Sequence, residues 1–149
     1  MLTISYLPDD EWHGELLAEA RHAGFAGRAF AWFNTDDLRR FVAPLRQWPP
    51  APDEPTRLQG GYFSKHNPTG TPVETHVDLT IAWSRSQRCY RVEARLSEPG
   101  EQTLPQATVI RFPVEPAELG RFADAVEAML VAGGSATLLA AINNTVTAI

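Results

Sequence analysis

Arg28-Ala-Phe-Ala-Trp-Phe33 runs directly into Asn34-Thr-Asp-Asp-Leu-Arg-Arg-Phe-Val-Ala-Pro-Leu45. Offset by 81 residues and without a gap, Val109-Ile-Arg-Phe-Pro-Val114 runs into Glu115-Pro-Ala-Glu-Leu-Gly-Arg-Phe-Ala-Asp-Ala-Val126. Leu38 aligns with Leu119, Arg40 with Arg121, Phe41 with Phe122 and Leu45 with Val126. Each stretch predicts a strand feeding an amphipathic helix. Leu38, Phe41, Val42, Leu45 and Trp48 follow one helix face, as do Leu119, Phe122, Val126, Met129 and Leu130. Asn34 or Thr35 can cap the first helix, and Asp36 and Asp37 suit its positive end. Pro44 falls opposite the apolar stripe and predicts a kink bowed toward solvent. Glu115 caps the second helix, Pro116 occupies its first turn and Gly133-Gly134 closes it.

Around these anchors the chain reads as strands. Leu2–Leu7, Glu15–Ala23, Gly27–Phe33 and Leu58–Phe63 are short candidates, with Gly60-Gly61 weakening the last. Ala51–Thr56 and Ser64–Thr75 read as loops. The clearest hairpin alternates apolar Val77, Leu79, Ile81 and Trp83 with polar positions, then does the same at Tyr90, Val92, Ala94 and Leu96. Paired positions must sum to an odd number if both apolar sets share a face. A sum of 173 sets Asp78 opposite Arg95, whereas 171 sets it opposite Glu93. Opposite charges favour 173, with a loop at Arg85–Arg88. Thr108–Val114 is the last clear strand, and Ser135–Ile149 suggests a short helix through Ile142 and an extended end. Strands grouped around two helices imply a single α+β domain over residues 1–149: a mostly antiparallel sheet of about six or seven strands, with both helices on one face.

Composition narrows the function. The chain has 149 residues, 44% of them hydrophobic and 21% charged, which are the values of one globular domain. A formal charge of -5 argues against a nucleic-acid surface. Twelve of the thirteen cations are Arg, consistent with coding bias. The N-terminus lacks a basic region and a long apolar run, so no signal peptide is expected. Nor does any stretch reach the ~18 apolar residues of a membrane span. A cytoplasmic protein is the expectation.

No sequence motif announces chemistry. Gly60-Gly61 lacks phosphate-loop spacing, and HExxH, GxSxG and CxxC are absent. Cys89 has no second cysteine to pair with, and the 173 pairing sets it opposite Ser84, far from His76. His13 and His22 share no helix face, so neither a metal site nor a cofactor is expected. Asp9-Asp10-Glu11, Asp36-Asp37 and Asp53-Glu54 sit where carboxylates are solvated, so no catalytic acid stands out.

Two surfaces remain as candidates. The first is a polar sheet face carrying Asp78, Thr80, Arg91, Glu93, Arg95 and Arg111, either a solvated salt-bridge ladder or an Arg-rich partner surface. The second comes from the alignment of the two strands. If Ala29, Ala31 and Phe33 face the helices as Ile110, Phe112 and Val114 do, then Phe30 and Trp32 point the other way. They need a cover from the termini, or a partner, including a second copy in a symmetric dimer.

The Gly24-Phe-Ala-Gly27 turn, Asp36-Asp-Leu-Arg-Arg-Phe41, Trp48-Pro49 and Phe112-Pro-Val-Glu-Pro-Ala-Glu-Leu-Gly-Arg-Phe122 together resemble a group of small bacterial proteins. That group, mostly uncharacterised, includes WapI-type toxin-immunity proteins, and the likeness spans roughly residues 14–130. The resemblance implies an α+β sheet protein and, for some members, neutralisation of a partner toxin by binding. It brings no catalytic residues. The long loops at Ala51–Thr56 and Ser64–Thr75 and the apolar tail depart from the group. The expectation is a non-enzymatic interaction protein with an unknown protein partner. The alternative is a small-molecule binder or small enzyme with a pocket beside the 64–75 loop.

Overall fold

The computed structural model describes residues 1–47, 54–62, 72–98 and 104–142. Its elements in chain order are β1 (Leu2–Pro8), β2 (His13–His22), β3 (Phe25–Asn34), α1 (Thr35–Val42), β4 (Thr56–Tyr62), β5 (Glu74–Ser84), β6 (Cys89–Ser97), β7 (Ala107–Val114), α2 (Pro116–Ala132) and β8 (Ser135–Leu138). The α+β class is as expected, but the single sheet is not. The eight strands form two antiparallel sheets of four, ordered β3-β2-β1-β8 and β4-β5-β6-β7.

The reason lies in coverage. β1, β2, β3, β6 and β7 alternate in burial, so each sheet has one apolar face to bury, while β5 is buried on both faces over His76–Leu79. One eight-residue and one seventeen-residue helix are too little to cover eight strands. The sheets therefore also cover each other, with β3 and β2 touching β7 and β3 reaching β4, β5 and β6. The helices fill the remaining flanks. α1 lies against β3 and β4, α2 against β8 and β1, and the two helices touch. All the fully buried apolar side chains belong to one core.

Small residues permit the close approach. Gly60 of β4 leaves the space that the Phe33 ring of β3 fills, and Gly27 of β3 does the same for the Thr108 side chain of β7. His22 adds a ring contact to Phe112 across the sheets, with centroids 5.8 Å apart.

Several local expectations are met. The β5–β6 register pairs Asp78 with Arg95 and Ser84 with Cys89, leaving the turn at 85–88. Val92 and Ile110 are buried. Ala23 and Gly24 both have positive φ and form the tight link between β2 and β3. Glu115 precedes α2, Pro116 starts it, and Gly133 ends it in a positive-φ conformation with its N–H on the Met129 carbonyl.

Others are corrected. Pro44 does not kink a longer helix. α1 stops at Val42, and a 3-10 turn over Ala43–Arg46 carries Pro44 in its first turn, where no N–H is required. Neither Asn34 nor Glu115 makes a side-chain cap bond. Residues 135–138 are strand rather than helix, with Ala136 and Leu138 buried against β1. The expected place of Trp48 on the helix face, the loop from 64 to 71 and the extended end of the tail lie outside the described residues.

Candidate functional site

The expected site residues divide between the two sheets. Asp78, Arg91, Glu93, Arg95 and Arg111 belong to the β4–β7 sheet, whereas Phe30 and Trp32 lie on the outer face of the other. They do not form one constellation.

In the first group Glu93 is the hub. Its two carboxylate oxygens accept from Arg95 Nε and Arg111 Nε, each at 2.7 Å. The Arg111 guanidinium and then that of Arg95 hold the Glu93 carboxyl below its ordinary range. Arg91 has no ion pair among the described residues. Asp78 departs from the expected solvated ladder. It is only 6% exposed, and although its backbone faces Arg95, its carboxylate turns to Arg57 of β4. Arg57 grips both oxygens, Nε to Oδ1 at 3.0 Å and Nη2 to Oδ2 at 2.7 Å. That bidentate bond raises the Arg57 pKa further. Sequence reasoning missed this pair because nothing in the chain fixes how β4 sits against β5.

In the second group Phe30 and Trp32 are 47% and 54% exposed, while Ala29, Ala31 and Phe33 face the core. β1 lies beside β2 in the plane of the sheet and covers neither aromatic. Cross-strand partners extend the patch. Leu17 is opposite Phe30, and Leu7, 71% exposed, shares with Trp32 the neighbour Glu15. Leu7, Leu17, Phe30 and Trp32 thus share one face of the sheet, with Glu15 between Leu7 and Trp32.

Trp32 also lines a cleft of about 1000 Å³ that no local sequence pattern announces. Its walls come from the β1–β2 turn (Asp9, Asp10, His13), the end of β3 (Trp32, Phe33, Asn34), α1 (Asp37, Arg40, Phe41), β4 (Thr56, Arg57, Leu58, Gln59) and the paired ends of β5 and β6 (Ile81, Trp83, Tyr90). The parts are held rigidly. Asp10 Oδ1 accepts the Trp12 and His13 backbone N–H groups at 2.8 and 2.7 Å and faces the His13 ring at 3.2 Å. Those two backbone bonds keep the Asp10 carboxyl below the usual carboxylate range. The Thr35 N–H donates to the Trp12 carbonyl, tying the start of α1 to the same turn. Asp37 receives Arg40 at 2.7 Å. On the far wall the Trp83 and Tyr90 rings meet edge to face, 5.1 Å apart.

Other candidates are placed plainly. Cys89 is half-buried and faces Ser84. His76 is buried, with Nε2 at 3.0 Å from Glu74 and the Tyr62 ring edge-on at 4.9 Å. Among the described residues no group of three or more His, Cys, Asp or Glu side chains is placed to hold a metal ion. No described helix is long and apolar enough to cross a membrane. No protein-family model matches the chain, and no curated protein matches it either.

Proposed function

We propose that this chain is a non-enzymatic interaction module of the cytoplasm, immunity-like in that it neutralises a protein partner by occupying it. The carrying observation is the strip of exposed Leu7, Phe30 and Trp32 with half-buried Leu17, which continues at Trp32 into the cleft. Exposed apolar strips of this kind mark docking sites, and Trp and Phe supply much of the energy at interface centres. The Glu93 ladder on the other sheet, with Arg91, which has no ion pair among the described residues, supplies a second polar contact face. The net charge of -5 speeds encounter with a basic partner, a nuclease toxin included. The resemblance to WapI-type immunity proteins points the same way.

The test is affinity for the product of the neighbouring gene, or for a protein captured in the native host, measured with wild type and variants. Trp32→Ala is expected to weaken binding by about 2 kcal/mol or more. Equal affinity for wild type, Phe30→Ala and Trp32→Ala would overturn the reading. Arg91→Glu with Arg95→Glu asks the same of the ladder face.

A second reading, a small-molecule binder or small enzyme, is favoured by the cleft itself. Its volume lies at the upper end for ligand sites, and Pro72 from the 64–75 loop lines it. A metabolite panel that shifts the melting temperature, with the shift lost in Tyr90→Ala, is its test.

A further inference from the structure

We infer that the cleft receives a positively charged side chain, an arginine or lysine presented by the partner; this deepens the binding reading above and rests on it. The argument is one of charge balance. Among the described residues each arginine lining the cleft already carries its own carboxylate: Arg40 has Asp37, and Arg57 has both oxygens of Asp78. Asp9 and Glu54 line the same cleft, are exposed, and have no ion pair among the described residues. Among the described residues the uncompensated charge of the cleft is therefore negative.

An incoming carboxylate or phosphate would have to displace Asp37 or the buried Asp78 from its guanidinium, leaving that acid without its counter-charge. A cation displaces nothing. It also finds the half-exposed indole of Trp32, whose face attracts a guanidinium or ammonium group. The buried rings of Phe33 and Phe41 give the aliphatic stem an apolar floor. Asp10, whose carboxyl pKa is lowered by two backbone N–H groups, adds its charge to the turn beside Asp9.

The experiment is a titration of the isotopically labelled chain with a short glycine-spaced arginine peptide and its citrulline counterpart, which has the same shape without the charge. The readout is the indole N–H resonance of Trp32. The arginine peptide is expected to shift it saturably, and the citrulline peptide to bind about tenfold more weakly. Asp9→Asn with Glu54→Gln should cost about tenfold, and Glu98→Gln with Glu115→Gln, an equal charge change outside the cleft, less than about twofold. Equal binding of the two peptides, equal losses in the two double variants, or no saturable shift of Trp32 by millimolar peptide would each overturn the inference. If any of these occurs while Trp32→Ala still weakens the captured partner, the inference falls and the binding reading stands.

Discussion

The ring of Phe33, at the end of one sheet, rests on Gly60 in the edge strand of the other. A Cβ at position 60 would fall inside van der Waals contact with three atoms of that ring. Phe33 is buried and cannot swing into solvent. Gly60→Ala is therefore expected to destabilise the fold by about 1–3 kcal/mol. Phe33→Leu, which shortens the ring side, should recover part of that loss in the double variant. Urea unfolding of the four chains in the cycle measures both.

Arg57 holds the buried carboxylate of Asp78 with two hydrogen bonds. Among the described residues, Arg57→Ala leaves that charge buried with the long contact to Gln59. The expected cost is about 1–3 kcal/mol. Asp78→Asn in the Arg57→Ala background should be less harmful than in the wild type. Additive losses would show that the pair does not stabilise the β4–β5 edge.

Burial raises the phenol pKa of both Tyr6 and Tyr90, and the Asp10 charge adds to the effect at Tyr6. A raised acid keeps its proton in the folded state after the unfolded chain has released it. Stability is thus unaffected below the ordinary tyrosine value of about 10 and falls as pH rises through and above it. Tyr6→Phe with Tyr90→Phe should flatten that alkaline limb in pH-dependent urea unfolding. The Tyr6 hydroxyl is buried without a hydrogen-bond partner among the described residues, so Tyr6→Phe alone should be neutral or stabilising at pH 7, by up to about 1 kcal/mol.

Glu93 shows the opposite sign. Its carboxyl is depressed by Arg111 and Arg95, so its contribution is present above the ordinary glutamate value of about 4.3 and is lost as pH falls from there through its lower folded value. Glu93→Gln should cost about 0–1 kcal/mol at neutral pH, and the difference from wild type should shrink once pH falls below that depressed value. A constant difference across the acid range would assign the loss to packing instead.

The open strip around Phe30 and Trp32 also suits a second copy of the chain. Light scattering at high concentration is expected to show a dimer, and Trp32→Glu to return it to a monomer. A wild-type chain that stays monomeric would remove self-association and leave the strip to a different partner.

What the sequence makes legible follows from how local each signal is. The β5–β6 register can be read because Asp78 distinguishes Arg95 from Glu93 by charge alone. The outward direction of Phe30 and Trp32 follows from alternation. The division into two sheets is illegible, because β3 and β4 each alternate equally well in one sheet or two. It depends on Gly60, which reads as a weak strand position, and on Gly27, which reads as the end of a turn, and both are in fact sockets. Thr137-Leu-Leu-Ala-Ala141 has helix-forming composition, and its first residues become strand because β1 offers a free edge. The cleft depends on the β1–β2 turn meeting parts of β3, α1, β4, β5 and β6, so no window of sequence contains it.

β8 pairs with β1, joining Leu138 to Leu2 and Thr137 to Thr3. During synthesis, then, the β1–β2–β3 hairpins leave the ribosome with one border open, and that border closes only once residues 135–138 have followed. Until then the naked side of β1 is a sticky template, and a chaperone guarding the nascent chain would be expected to hold that strand last.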